Sequence, residues 1–194
     1  YRSITSAIIT AIAYQTFGFV GLISLIPLFN IKNNLLKNYW LWGATYMGIL
    51  HAFFIELHTV SSFPIAIGLW LICTLYYSIF YLILGFIIHH LTKKTPHILC
   101  IPIAFLVIES LKSYGTFGNT LGNIGYSLAP FTNIISSYSL IGTSGITIII
   151  VLINLLIIKI IKEPSSKRHW ATLLIVSSIL FFGNGNTQTS PNKS

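Results

Sequence analysis

Residues 65–88 read IAIGLWLICTLYYSIFYLILGFII, a stretch without a single Asp, Glu, Lys or Arg. As an α-helix rising 1.5 Å per residue, it would be roughly 36 Å long, which exceeds the roughly 30 Å hydrocarbon core of a bilayer. A transmembrane strand would be much shorter and would alternate between apolar and polar residues. The stretch therefore predicts a membrane-spanning helix, because a helix satisfies all of its own backbone hydrogen bonds in lipid.

Other apolar runs surround this one, and they are separated by short polar or basic connections. They cover residues 4–14, 17–29, 39–57, 98–111, 134–161 and 170–182. Together they predict an all-α fold: a polytopic transmembrane helical bundle of about seven spans over residues 1–183. The first two runs read as a tight helical hairpin, residues 113–133 form the one long polar connection, and residues 184–194 read as a polar, disordered tail.

Composition supports the bilayer as the solvent. Hydrophobic residues make up 54% of the 194-residue chain and charged residues only 7%, whereas soluble domains are roughly 25% charged. The formal net charge is +8, but the basic residues sit singly or in pairs between apolar runs. Nucleic-acid binding needs them clustered on one face, so this distribution favours membrane lipids as partners over nucleic acid.

Basic residues also predict the orientation, because they concentrate in cytoplasmic loops. If the N-terminus is cytoplasmic, only Lys112 and Lys193 fall outside. The basic residues on the inside are then Arg2, Lys32, Lys37, Lys93, Lys94, Lys159, Lys162, Lys167 and Arg168. The C-terminus and the polar connection would face the periplasmic or extracellular side.

Glu109 is the carboxylate with the clearest potential for a role. Lys112 follows three residues later on the same helical face, which favours a paired, structural carboxylate. The alternative is that Glu109 handles a lipid headgroup or an amine substrate, because charge within a membrane helix is retained where it serves a function.

Other reactive residue types are less promising. A metal site from His51, Glu56 and His58 is disfavoured, because the spacing of five between His51 and Glu56 does not place them on one helical face. Cys73 and Cys100 lie within apolar runs and are expected to be unbonded packing residues.

The segment from Glu109 onward resembles the membrane domain of the apolipoprotein N-acyltransferase family. That family has a Glu followed by Leu-Arg, a Thr-Gly-Phe-Pro-Trp loop, Gly-Tyr-Ser, a proline and a Gly-x-x-Gly entry to the next span. The corresponding residues here are Glu109, Leu111, Lys112, Gly118, Gly125, Tyr126, Ser127, Pro130, Gly142 and Gly145. Phe17-Gly18-Phe19 also resembles the entry to the family's second span.

The resemblance implies a bacterial inner-membrane protein that handles two lipid substrates and needs no cofactor. In this family a cysteine thiolate takes an acyl chain from a phospholipid and passes it to the N-terminal diacylglyceryl cysteine of a lipoprotein. The residues implied to contact substrate or lipid are Glu109, Lys112, Gly118, Gly125 and Tyr126.

The family's Glu-Lys-Cys machinery lies in a nitrilase-like domain expected beyond Ser194, so the resemblance implies no catalytic residue within this chain and no activity for the chain alone. Asn119, Thr120 and Leu121 replace the family's Phe-Pro-Trp, a change expected to remove a rigid turn. The alternative hypothesis is a small multispan transporter or a noncatalytic lipid-binding membrane protein. The sequence offers little for transport, since no internal repeat or charged midplane site stands out.

Overall fold

The computed structural model of the chain describes residues 1–93, 95–131 and 135–181, apart from the side chains of 135–140 and 181. Within these ranges every regular element is helical, which confirms the all-α prediction. The α-helices are α1 (Arg2–Gln15), α2 (Gly21–Ser24), α3 (Ile26–Phe29), α4 (Leu35–Leu50), α5 (Phe63–Leu91), α6 (His97–Ser113), α7 (Ile135–Lys162) and α8 (Lys167–Phe181). The predicted tail, 184–194, lies outside the described residues, as does Lys94.

Successive long helices run in opposite directions, which gathers their ends into two groups. At one end, Lys32 before α4 lies beside Lys93 after α5, His97 at the start of α6 and Lys162 at the end of α7. We call this the basic end. The opposite end of α6, with the connection that follows it, we call the loop end. There the carbonyl of Phe117 accepts from the hydroxyl of Tyr77, which lies near the middle of α5, at 2.8 Å.

Two described helices are long and apolar enough to cross a bilayer, Phe63–Leu91 and Ile141–Lys162. The apolar stretch Gly18–Phe29 is shorter. A helix of 17 residues such as α6 rises roughly 26 Å. The count of seven spans therefore stays a prediction.

The run over residues 17–29 is helical, as predicted, but it is not one regular helix: a 3₁₀ turn, Gly18–Val20, is followed by α2 and α3. Pro27 has no N–H, so it cannot donate to the carbonyl four residues earlier. The Asn154 side chain of α7 bridges the break. Its Oδ1 accepts from the Leu25 N–H at 2.9 Å, and its Nδ2 donates to the Gly21 carbonyl at 3.0 Å.

The predicted hairpin itself is confirmed by the contact between its two arms. The Ser6 hydroxyl of α1 donates to the Ser24 carbonyl at 2.6 Å, and both residues are buried. Trp42 of α4 donates its indole N–H to the Ser6 oxygen at 3.2 Å. A single buried hydroxyl thus joins α1, α2 and α4.

Two other apolar runs change their helical form along their length. The run over 39–57 is α-helical only to Leu50 and continues as a 3₁₀ helix, His51–Thr59. Helix α7 breaks at Gly142, whose φ of 69° and ψ of 173° are not helical. A left-handed φ is easily reached only by glycine, so Gly142 fixes the place where α7 bends.

An aromatic core joins α4, α5 and α6. The Trp42 ring lies 5.0 Å from that of Tyr81 and 6.4 Å from that of Phe105, both edge to face. Gly43 permits this approach, because a Cβ there would lie 2.4 Å from the Cβ of Tyr81. The core fixes α5 and α6 against α4 just below the loop end.

Candidate substrate-handling site at the loop end

Residues 119–128 enter the helical bundle rather than crossing its surface. We call them the inserted segment. Its buried residues are Gly122, Asn123, Ile124, Gly125, Ser127 and Leu128. The segment contains a 3₁₀ turn, Ile124–Leu128, and Gly122 has a φ of 74°, so its backbone is irregular. Such a segment must find partners for its backbone, because water is absent from a bundle interior.

Glu109 of α6 supplies the central contacts. It is 4% exposed, and its two carboxylate oxygens have different partners. Oε1 accepts from the Ile124 backbone N–H at 2.7 Å, and Oε2 accepts from the Thr147 hydroxyl of α7 at 2.6 Å. Thr147 in turn accepts from the Gly125 N–H at 3.0 Å. One carboxylate therefore ties two consecutive backbone N–H groups to α6 and α7.

Lys112 lies one turn further along α6 and is 1% exposed. Its ammonium donates to the Leu121 carbonyl at 2.9 Å and contacts the Tyr81 hydroxyl at 3.4 Å. Glu109 thus accepts from the middle of the inserted segment, while Lys112 donates to its beginning.

Glu109 and Lys112 interact electrostatically, as the predicted pairing requires, but their charged atoms do not come within 4.0 Å of each other. Among the described residues the ion pair within 4.0 Å joins His169 and Glu163 instead. The reason is that each buried charge hydrogen-bonds to the inserted segment: a backbone N–H donates to Glu109, and a backbone carbonyl accepts from Lys112. The opposite charges attract each other without direct contact.

Gly125 is part of this arrangement through its lack of a side chain. A Cβ at Gly125 would lie 2.3 Å from the Thr143 carbonyl oxygen and 2.9 Å from the Thr147 hydroxyl. Only glycine lets the backbone come close enough to α7 for its N–H to reach Thr147.

Gly118 and Tyr126 occupy different surroundings. Gly118 closes a turn just after α6, where a Cβ would lie 2.4 Å from the Ser113 carbonyl oxygen. Tyr126 is 36% exposed, so its side chain faces outward from the segment. The structure thus brings Glu109, Lys112 and Gly125 together and leaves Gly118 and Tyr126 at the margins.

The expected loss of a rigid turn at Asn119, Thr120 and Leu121 is also wrong. The Asn119 side chain accepts from the Leu121 N–H at 2.8 Å, and the Asn119 N–H donates to the Lys112 carbonyl at 3.0 Å. An Asn side chain that bonds two residues ahead imitates a backbone turn. The turn is therefore held by hydrogen bonds.

Sequence reasoning missed Thr147 and Tyr46. Thr147 is fully buried, and the Tyr46 hydroxyl of α4 donates to the Gly122 carbonyl at 3.2 Å. Each lies within a mostly apolar run that contains other polar residues as well. The residue types are common in membrane helices, so only their position against the inserted segment reveals the role.

The other reactive residues lie in different surroundings. His51 is buried with Nδ1 2.9 Å from the Met47 carbonyl oxygen, whereas Glu56 and His58 are exposed. Both cysteines are unbonded, as predicted, and Cys100 donates to carbonyls of its own turn.

The arrangement suits positioning rather than proton transfer. Both oxygens of Glu109 hold donors within the protein, so the carboxylate fixes the shape of the inserted segment. A lateral groove of about 320 Å³ adjoins the segment, lined by Ile72, Cys73, Tyr76, Tyr77 and Phe117. Its walls are almost wholly apolar, which suits hydrocarbon chains.

Comparison with known proteins identifies the family. The profile of the apolipoprotein N-acyltransferase N-terminal domain matches residues 6–156. A curated relative, Apolipoprotein N-acyltransferase 1 of Treponema denticola, is 30% identical over 138 residues. That match covers 70% of this chain but 25% of the relative, so the chain corresponds to about a quarter of that protein. The chain therefore belongs to the apolipoprotein N-acyltransferase family, as its N-terminal domain.

Proposed function

We propose that this chain is the membrane domain of an enzyme that transfers an acyl chain from a phospholipid to the N-terminal diacylglyceryl cysteine of bacterial lipoproteins. Within that reaction its part is to admit the lipid substrates and to support the acyl-transfer site. The nucleophile and its acid–base partners belong to the rest of the enzyme.

The observation that carries the proposal is the inserted segment, fixed at the loop end by two buried ionisable side chains. Burying Glu109 and Lys112 is expensive in a membrane protein unless their partners are well placed. Here each of the two side chains has a partner on one stretch of backbone, at Ile124 and Leu121, so the charges help to specify the shape of that stretch. A fixed surface at this end suits a catalytic domain that works on lipid drawn from the bilayer.

The lateral groove supports the entry of lipid at the same end. Phe117 is 75% exposed beside it, and Tyr77 ties the Phe117 backbone to α5. A phospholipid acyl chain that leaves the bilayer sideways would meet these apolar side chains first. Its ester group would then lie near the inserted segment.

The cysteines support a nucleophile elsewhere. Cys100 lies nine residues before Glu109 on α6, which is roughly 13 Å along the helix axis. Its thiol is buried against carbonyls of its own turn. The chain alone is therefore expected to be inactive.

We further propose a multi-pass protein of the bacterial inner membrane, with about seven spans, a cytoplasmic N-terminus and a periplasmic C-terminus. The unequal distribution of basic residues supports this orientation. The gathering of Lys32, Lys93 and Lys162 at one end of the bundle supports it as well.

The test is acyl transfer to a diacylglyceryl-cysteine peptide, followed by mass spectrometry. The full gene product that contains this chain is expressed in bacteria depleted of their own N-acyltransferase, and membranes are assayed with phospholipid. We expect transfer by the full product, a loss of at least tenfold in Glu109→Ala and little change in Glu163→Gln. Glu163 is the matched control because its side chain is 71% exposed.

An absence of transfer by a full product that is folded in the membrane would contradict the proposal. Solute flux through proteoliposomes that contain only this chain would favour the transporter alternative.

A further inference from the structure

The basic end contains a cavity that the proposed acyl transfer does not use. Two adjoining hollows of about 460 and 470 Å³ meet there. They share the wall residues Phe29, Lys32, His97, Ile101 and Lys162. Pockets of this size accommodate an organic ligand.

The walls of the cavity carry several positive or ionisable groups from four parts of the chain. They are Lys32, His89, Lys93, His97, Lys159 and Lys162. No Asp or Glu lines either hollow in the described part of the chain. Glu163 follows Lys162, but its carboxylate lies 3.9 Å from His169. Gathered cations repel one another, so this cavity favours an anion.

The remainder of the wall is apolar, which distinguishes the cavity from a simple phosphate site. Phe29, Leu35, Ile88, Leu155 and Ile158 lie between and below the lysines. A ligand that satisfies both parts of the wall has an anionic head and a hydrocarbon portion. Basic pockets between transmembrane helices bind anionic lipid headgroups in this manner.

We propose that the basic end binds one anionic phospholipid between α4, α5, α6 and α7. The phosphodiester lies among Lys32, Lys93 and Lys162, and the glycerol and upper acyl chains follow the apolar wall. Because the lysines belong to separate elements, the bound lipid joins the end of α7 to the connection before α4 and to the connection between α5 and α6.

The test measures lipid binding to the purified chain in detergent by native mass spectrometry. The probe is short-chain phosphatidylglycerol. Separate titrations use phosphatidylcholine of the same chain length, sn-glycerol 3-phosphate and inorganic phosphate. We expect one phosphatidylglycerol per chain, weaker binding of phosphatidylcholine and little competition from the two soluble phosphates.

The variant K32Q/K162Q removes two charges from the cavity wall. We expect it to weaken phosphatidylglycerol binding about 30-fold, because each basic group near a lipid surface increases the affinity about fivefold. The matched control K167Q/R168Q removes two exposed charges in the first turn of α8, outside the cavity, and should weaken binding less than threefold. The single variant K162Q, expected to lose about fivefold, serves if the double variant does not fold.

Several results would overturn the proposal. Equal binding of phosphatidylcholine would indicate an apolar hollow without headgroup recognition. Competition by inorganic phosphate at concentrations equal to those of the lipid probe would indicate a site for a free anion. An equal loss in the control variant would indicate general attraction to a basic surface. None of these results depends on acyl transfer, so the proposed function would be unaffected.

Discussion

The charged side chains at the two ends of the bundle differ in burial and in their partners. At the loop end, Glu109 and Lys112 are almost completely buried and bond to the backbone of one inserted segment. At the basic end, Lys32, Lys93 and Lys162 are exposed around an open cavity. The buried charges therefore stabilise the structure of the inserted segment, whereas the exposed charges are available to bind a ligand.

The largest effect on stability is expected from Glu109→Ala. It leaves the Ile124 N–H and the Thr147 hydroxyl without their acceptor and removes the negative charge nearest Lys112. We expect the free energy of unfolding in mixed micelles to fall by about 3 kcal/mol. A loss below about 0.5 kcal/mol, typical of a surface substitution, would erase the contrast between the two ends.

The next largest effect is expected from Gly125→Ala. The added Cβ would lie 2.3 Å from the Thr143 carbonyl oxygen, so the inserted segment must shift away from α7. We expect a loss of about 2 kcal/mol, measured in the same way. Gly68→Ala is the control, because a Cβ there meets nothing within 4 Å. Similar losses in both variants would mean that the segment does not approach α7 this closely.

A smaller effect is expected from Thr147→Val, which keeps the side-chain shape and removes the hydroxyl. Glu109 keeps its bond to Ile124, so the loss should be about 1 to 2 kcal/mol. Thr172→Val on α8 is the control, since the Thr172 hydroxyl is exposed and bonds only to its own helix. The two losses should differ clearly in thermal unfolding, and equal losses would remove Thr147 from the network.

The smallest effect on stability is expected at the basic end. K32Q/K162Q without added lipid should change the free energy of unfolding by less than about 0.5 kcal/mol, because these side chains are exposed. A loss as large as that of Glu109→Ala would show that the lysines support the fold itself. The two ends would then not differ as described.

Much of the fold could be predicted because long apolar runs carry a strong signal. Residues 65–88 correspond to α5, and the basic residues between runs mark the end where Lys32, Lys93 and Lys162 meet. The break within 17–29 could not be predicted with the same certainty. It involves Asn154, which lies far along the chain and bonds both the Leu25 N–H and the Gly21 carbonyl at the break.

The candidate site was only partly predictable for a similar reason. Glu109 and Lys112 stand out because charge is rare in an apolar helix, but their spacing suggested that they would pair with each other. Their hydrogen-bond partners include backbone groups of the inserted segment, and residue identity does not show which backbone groups a side chain will meet. Thr147 was hidden because α7 contains other small polar residues, Thr143 and Ser144 among them, and nothing in the sequence distinguishes it from these.

The most direct test of the account is cysteine labelling from outside intact cells with a membrane-impermeant maleimide. The variants are Ser127→Cys in the inserted segment, Phe117→Cys beside the lateral groove and Lys32→Cys at the basic end, all in a chain whose Cys73 and Cys100 are replaced by alanine. We expect labelling of Phe117→Cys alone, because Ser127 is 2% exposed and the proposed orientation places Lys32 on the cytoplasmic side. Labelling of Ser127→Cys as fast as Phe117→Cys would contradict the inserted segment, and labelling of Lys32→Cys would contradict the orientation.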